Sequence, residues 1–377
     1  DFRRCSDDQT LISCEDRTQG LVTTTCGEDE VCAEGRDGPT CLPIICEPGT
    51  RTCDGQEILV CNDTGTALSV IEGCEIACIN GVCAQRVPSC PFPSALVSPA
   101  QDQQNPVTQL DIAPLTPVVL DGTASSDVDG EIVEWNWSVA QAPAGWVGEF
   151  LPVQGEMDNP ARREFLPSVA GKYRIQLEVV DNDGLVSDGG NPLCQPAVIT
   201  IEAAPQQTIY VEVTWNNPED TQPTDTLGSD IDLHLVKQSV GVLAEAPYDC
   251  YFANTSPMWD PEHPLLLVDD SNGSGPESIA LDDPEDCQWY GIGIHYFRAQ
   301  FGTAYATLRV YINGSLVYEN ANRPLVESNA YWDMARIHWP SGQVVPVQVA
   351  YPGAPIGSAM PYSQPQRDTG LCGTPDQ

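Results

Sequence analysis

Apolar and polar residues alternate with a period of two over residues 132–137 and 173–180, and residues 117–120 and 197–201 are short, mostly apolar strand-like runs. The same alternation returns over residues 208–215, 231–235, 291–297 and 306–312. Such a period sends successive side chains to opposite faces and predicts half-buried β-strands. Asp129-Gly130 and Asp183-Gly184 punctuate the first group, and Asn313-Gly314 predicts a tight hairpin returned by residues 315–318. Short strands at this spacing predict two β-sandwiches. Residues 1–88 carry no helical period, only strand-like fragments such as Glu57-Ile58-Leu59-Val60, so the chain reads as all-β.

That amino-terminal stretch is dominated by sulfur. Twelve of the sixteen cysteines lie within the first ninety residues, in two copies of one irregular spacing. Cys5, Cys14, Cys26, Cys32, Cys41 and Cys46 are separated by 8, 11, 5, 8 and 4 residues. Cys53, Cys61, Cys74, Cys78, Cys83 and Cys90 are separated by 7, 12, 3, 4 and 6. So little apolar material cannot hold a core alone, and disulfides are expected to staple it. Zinc is the competing explanation, but no C-x-x-C pair occurs and no histidine lies near. Disulfides persist in oxidising compartments, which predicts a secreted protein or one on the outer cell surface. Cys194, Cys250, Cys287 and Cys372 complete the expected disulfide set, with Cys250 and Cys287 as an internal bridge of the second sandwich. Cys90 fits either the second cysteine repeat or a staple to Cys194, and sequence leaves its pairing open.

Proline-rich text at residues 87–93 and Ala203-Ala204-Pro205 mark boundaries. The predicted organisation is cysteine-rich repeats over 1–88, a first sandwich over 89–204, a second over 205–351, and an ordered Pro/Gly-rich tail over 352–377. Docking of that tail onto its own domains, or onto a neighbouring copy, is expected to hold it. No run of 18 apolar residues exists, so no transmembrane segment is predicted. The formal net charge is −38, with lysine only at Lys172 and Lys237. Such a surface repels phosphate backbones and anionic lipid, which argues against nucleic acid as a partner.

The segment from Cys46 to Cys83 (CEPGTRTCDGQEILVCNDTGTALSVIEGCEIACINGVC) resembles cysteine-rich repeats of surface lipoproteins of myxobacteria and their relatives. LDGTASSDVDGEIVEWNW, residues 120–137, followed by AGKYRIQLEVVDNDGLVSD, residues 170–188, resembles a PKD domain. That resemblance implies an immunoglobulin-like sandwich of the kind found in surface proteins and as a spacer in secreted enzymes. The interval from Trp137 to Ala170 is longer than the family's and is unassigned. TWNNPEDTQPTDTLGSDIDLHLV, residues 214–236, then DDSNGSGPESI, residues 269–279, is similar to a bacterial extracytoplasmic family with a D-[IL]-D-L-H strand and a G-P-E turn. The likeness implies a jelly-roll-like sandwich rather than a role.

Candidate chemistry centres on acid. Residues i, i+2 and i+4 of a strand share a face, so Asp230, Asp232 and His234 point one way. Asp269, Asp270, Asn272 and Glu277 lie in a Gly-rich loop. Brought together, these two segments offer the oxygen-rich shell that calcium prefers, with His234 either orienting a carboxylate or sitting on the rim. A polar strand face beside Asx turns is the bland alternative. Asp127 and Asp129, with Asp181 and Asp183, form two similar words that either make turns or bind a second calcium. PKD-like domains of secreted collagenases bind calcium in this neighbourhood. Trp332 and Trp339 are candidate sugar-stacking residues, against the commoner role of tryptophan in a core. Neither H-E-x-x-H nor G-x-S-x-G occurs. The expectation is a non-enzymatic extracellular structural or adhesive protein, one that assembles with itself or other surface proteins into a filament or sheath. The alternatives are a carbohydrate-binding module that takes polysaccharide and an accessory region of a secreted enzyme.

Overall fold

The computed structural model describes residues 2–14, 20–83, 89–190, 194–223, 225, 227–237, 247–259, 263–271 and 273–351. Asn272, Cys372 and the whole 352–377 tail therefore lie outside the described residues. Every regular element among the described residues is a β-strand, so the protein is all-β as its periodicity requires. Contacts divide the chain into two compact units. One comprises Asp1–Phe92, Ser125–Glu134 and Val179–Gln195, and the other Pro93–Ala124, Trp135–Glu178 and Pro196–Gln377.

The amino-terminal region is a string of small antiparallel sheets. Phe2–Asp7, Thr10–Cys14 and Val22–Thr25 form one, and Arg51–Asp54, Glu57–Cys61 and Leu68–Gly73 another. Its buried apolar side chains are mostly sulfur: Cys26, Cys32, Cys61 and Cys74, with Val31, Ala33 and Ile58. Bridges Cys5–Cys32 and Cys26–Cys41 join the first and fourth, and the third and fifth, cysteines of the first set. Cys53–Cys78 and Cys74–Cys83 repeat that connectivity in the second set. The sixth cysteine of each set bonds forward, Cys46 to Cys61 and Cys90 to Cys194. The repeated spacing thus encodes one repeated connectivity. Cys14 sits opposite Phe2 in the register of the first two strands, half-buried.

The first sandwich stacks two four-stranded sheets. One runs Leu96–Pro99, Val118–Asp121, Arg162–Phe165, Leu151–Pro152, and the other Gln109–Ile112, Ala197–Ala203, Gly171–Asp181, Ile132–Gln141. Two of these strands, Leu151–Pro152 and Arg162–Phe165, come from the interval that sequence left unassigned. Val118, Leu120, Phe165, Tyr173, Ile175, Leu177, Ile199 and Ile201 are at most 1% exposed and form its interior. The Tyr173 hydroxyl donates to the Val169 carbonyl at 2.6 Å and accepts from its amide at 3.0 Å, which satisfies the phenol's buried oxygen.

The second sandwich stacks two five-stranded sheets. One runs Leu265–Val268, Glu277–Leu281, Ile209–Asn216, Ala304–Ile312, Ser315–Leu325. The other runs Asp249–Cys250, Asp230–Lys237, Gln288–Arg298, Ala330–Trp339, Gln343–Tyr351. Ile209, Val211, Val213, Trp215, Ile231, Leu233, Leu235, Ile292, Ile294 and Leu308 meet between them. Asn313 and Gly314 both have positive φ, 49° and 77°, as the hairpin signal demands. The expected Cys250–Cys287 bridge does not form. Cys250 is a buried free thiol whose sulfur reaches the Thr255 carbonyl at 3.5 Å, and Cys287 is disulfide-bonded elsewhere. Pairing with Leu235 on the edge of the sheet turns Cys250 inward, where burial pushes its thiol up to about 12.

Loop-closure entropy makes the long forward bridge worth more than the short internal one. Cys90–Cys194 spans 104 residues and Cys74–Cys83 spans 9. Replacing both cysteines by serine should cost about 4–5 kcal/mol in the first case and about 2–3 kcal/mol in the second. Denaturant unfolding of the two double variants checks this, and the reverse order would contradict it.

Candidate acidic cation site in the second sandwich

The Asp230–Lys237 strand is buried along seven of its eight residues, which means that both of its faces are covered. Ile231, Leu233 and Leu235 enter the apolar interior, so Asp230, Asp232 and His234 must share the opposite face. There the structure places them among polar side chains that are themselves buried: Asp249, His295 and Asp333. Glu277 arrives from the other sheet, at the start of the Glu277–Leu281 strand, directly after the turn built by Gly275 and cis-Pro276. Its Oε2 accepts from the Leu233 amide at 2.7 Å. A carboxylate thus caps the backbone of a strand whose short neighbour, Asp249–Cys250, pairs only with Leu235 and Val236.

These connections bring Asp230, Asp232 and Glu277 together, one ligand oxygen from each lying within 4.8 Å of the others. All three are buried, at 6%, 4% and 0% exposure. An ion about 2.4 Å from each oxygen can bridge such a span. Glu277 Oε1 is buried without a hydrogen-bond partner. Burial first, and Asp232 next, push Asp230 up to about 7. Burial likewise holds Glu277 well above the ordinary carboxylate range, with Asp232 and Asp269 adding repulsion. Carboxylates this close in low dielectric do not all ionise unless a cation joins them.

The other expected ligands divide by role. Asp269 neighbours the triad, since its charge acts on both Asp230 and Glu277. Asp270 folds the loop: its Oδ2 accepts from the Gly275 amide at 3.0 Å, and a Cβ on Gly273 would stand 2.5 Å from that oxygen. Asn272 is outside the described residues. His234 pairs with a carboxylate that the sequence did not single out, Asp249, its Nδ1 lying 2.7 Å from Asp249 Oδ2. Burial opposes the charge on that ring, yet Asp249 outweighs it and holds the imidazole above its ordinary value. The ring stacks on Tyr251 at 5.0 Å.

His295, Asp249 and Asn329 are the residues that sequence reasoning passed over. His295 lies opposite Asp232 in the sheet register, with Nδ1 3.2 Å from Asp232 Oδ2 and Nε2 3.0 Å from Asn329 Oδ1. A signal for it existed. In Gly291-Ile292-Gly293-Ile294-His295 the isoleucines take the core face, which leaves the histidine on the acidic one.

The two aspartate words of the first unit do not form a comparable shell. Asp181 Oδ1 accepts from the Asp183 and Leu185 amides, each at 2.9 Å, in an Asx turn. Asp129 accepts from the Ser89 amide at 3.2 Å and from the Ser89 hydroxyl. Burial, then Asp129 and Asp181, raise Asp127. Among the described residues, no three of Asp127, Asp129, Asp181 and Asp183 converge as the triad does.

Trp332 and Trp339 are half-buried. Both pack against the interior of the second sandwich, on the same side of the Ala330–Trp339 strand as Met334 and Ile337. The Arg323 guanidinium covers Trp332 at 4.3 Å from its ring centre. Alternation, adjusted by the bulge between Asp333 and Ala335, turns these indoles inward.

No family model matches this chain, and no curated protein matches it. Among solved structures, a match comes from work on the "promiscuous specificity of the carbohydrate-binding modules from the beta-sandwich super family". It is 12% identical, covers 61% of this chain and 99% of that chain, and has a TM-score of 0.22. A likeness of that size carries no argument about this chain.

The raised carboxyls fix a sign for pH dependence. A group whose folded pKa lies above its unfolded value contributes stability that is complete at low pH and is lost as pH rises through the folded pKa. In chelator, the unfolding midpoint of the second sandwich should therefore fall between pH 5 and pH 8, and fall less in Asp230→Asn. Thermal unfolding followed by tryptophan fluorescence measures this. A midpoint that rises over that interval, or an equal fall in the variant, contradicts the assignment.

Proposed function

We propose that this chain is an exported, non-catalytic structural or adhesive protein in which calcium ties the two sheets of the second sandwich together. The single observation that carries this reading is the convergence of Asp230, Asp232 and Glu277 at the junction of two sheets, beneath the surface. A carboxylate pair that handles a substrate must be reached by it, and these carboxylates are at most 6% exposed. Hard oxygen ligands without a thiolate among them favour calcium over softer metals. His295 serves as an orienting neighbour of Asp232.

The disulfide-braced amino-terminal region fits work outside the cell. A PKD-like spacer, a lipid-anchored origin and assembly into a filament or sheath belong to the same proposal. A carbohydrate-binding role would need a surface other than Trp332 and Trp339, which are committed to packing.

An ion that binds only the native state raises stability by RT ln(1 + [L]/Kd), about 2.7 kcal/mol at one hundred times Kd. Calcium should raise the thermal midpoint of the full chain at pH 8 and magnesium should do so less, whereas Glu277→Gln should abolish the response. An unchanged wild-type midpoint at millimolar calcium retires the site. Sedimentation velocity of the full chain tests assembly. A monomer at every concentration, with or without calcium, removes the filament version.

A further inference from the structure

The second sandwich turns a second polar face away from its core, and this one is covered by the first sandwich. On the outer side of the Ile209–Asn216 and Ala304–Ile312 strands, Tyr210, Glu212, Thr214, Arg309 and Tyr311 are all at most 7% exposed. Tyr210, Tyr311 and Ala280 cluster with Ala170, which immediately precedes the Gly171–Asp181 strand. The Ala170 amide donates to Glu212 Oε2 at 2.9 Å, and the Tyr311 hydroxyl approaches the Ala170 carbonyl at 3.5 Å. Arg309 completes the clasp. Its Nη1 lies 3.3 Å from Glu212 Oε1, its Nη2 donates to the Ala144 carbonyl at 2.9 Å, and its Nε donates to Glu319 at 2.9 Å. The next residue, Gly145, has φ +87°, and a Cβ there would stand 2.2 Å from Thr214 Oγ1. Contact this close requires the glycine.

Glu212 and Arg309 therefore hold two backbone segments of the neighbouring sandwich, Ala170 and Ala144–Gly145. We infer that Glu212 and Arg309 form a proton-sensitive latch, which fixes the second sandwich on these segments and loosens as the medium turns alkaline.

The direction is set by the effect of docking on the carboxyl. Burial pushes Glu212 up to about 7, although the Ala170 amide and Arg309 both pull it back. The groups around it are Arg309, Tyr210, Tyr311 and Tyr173, with Glu319 beyond Arg309 and Glu202 beyond Tyr311. Burial raises all three phenols, so they stay neutral across the range in which Glu212 titrates. Undocking would wet Glu212 and return it to the ordinary carboxylate range. The docked form therefore binds the proton more tightly than the open form. By linkage, docking is strongest in acid and weakens as pH rises through neutrality. The cation site faces the other way: Glu277 pairs with Val213 in the sheet, so its side chain leaves on the face opposite to Glu212.

Hydrogen exchange at the Ala170 amide of the full chain, corrected for the intrinsic pH dependence of exchange, tests the latch. Calcium is held constant and the Val211 amide, inside the sheet, serves as reference. Between pH 5 and pH 9, Ala170 protection should fall relative to Val211 by on the order of one hundredfold, the factor set by a carboxyl displaced from its ordinary range to neutrality. In Glu212→Gln, which keeps an acceptor for the amide but cannot ionise, the ratio should not move with pH. A wild-type ratio that is constant with pH overturns the proposal, as does a variant that retains the fall. Should Glu212→Gln fail to fold, the wild-type series decides alone.

Discussion

Repulsion among carboxylates is the constraint that the acidic face of the second sandwich has to satisfy. The Asp230–Lys237 strand is covered on both sides, so its polar face cannot be left to water. Asp230 and Asp232 lie where a half-exposed strand would place them harmlessly, and the fold instead closes over them with Glu277, His295 and the segment carrying Asp249. Removing charge from water costs several kcal/mol per ion in practice unless it is compensated. Arg298, 4.0 Å from Asp230 and itself half exposed, is a weak counterweight. The neighbouring Asp333 solves the same problem locally through a bidentate Arg336, which shows what a self-sufficient buried acid in this sheet looks like.

Much of the architecture was legible because period-two alternation is a local property. Residues 208–215, 231–235 and 306–312 announced their strands, and Asn313-Gly314 announced its hairpin. Strands Leu151–Pro152 and Arg162–Phe165 stayed hidden because two- and four-residue segments are too short to show a period. The acidic triad was half legible. The shared face of Asp230 and Asp232 follows from strand geometry, and Glu277 stood in a loop flagged for its acids. That Asp270 would spend its carboxylate on the Gly275 amide, while Glu277 reached another sheet, is a tertiary fact with no local signature.

One expectation fails for a geometric reason, and one resolves toward the commoner role of tryptophan. Alternation sends Asp333 and Trp332 to opposite sides of their strand, and Trp332 and Trp339 pack against the interior. Cys250 and Cys287 looked like partners because they are the two cysteines between the sandwich's outer strands. Chain proximity says nothing about where Cβ vectors point, and Cys250 points inward beside Leu235. Where geometry repeats, by contrast, spacing was informative: both cysteine sets share their internal bridges despite different intervals.

That shared bridging has a mechanical consequence. Cys46 reaches ahead to Cys61 and Cys90 to Cys194, so the last cysteine of each set is bonded into the segment that follows it. A closed loop cannot release its slack under tension while its sulfur bond is intact. The chain between Cys90 and Cys194, 104 positions apart, is therefore withheld from extension, whereas stretches that no bridge closes, such as residues 42–45, can be drawn out.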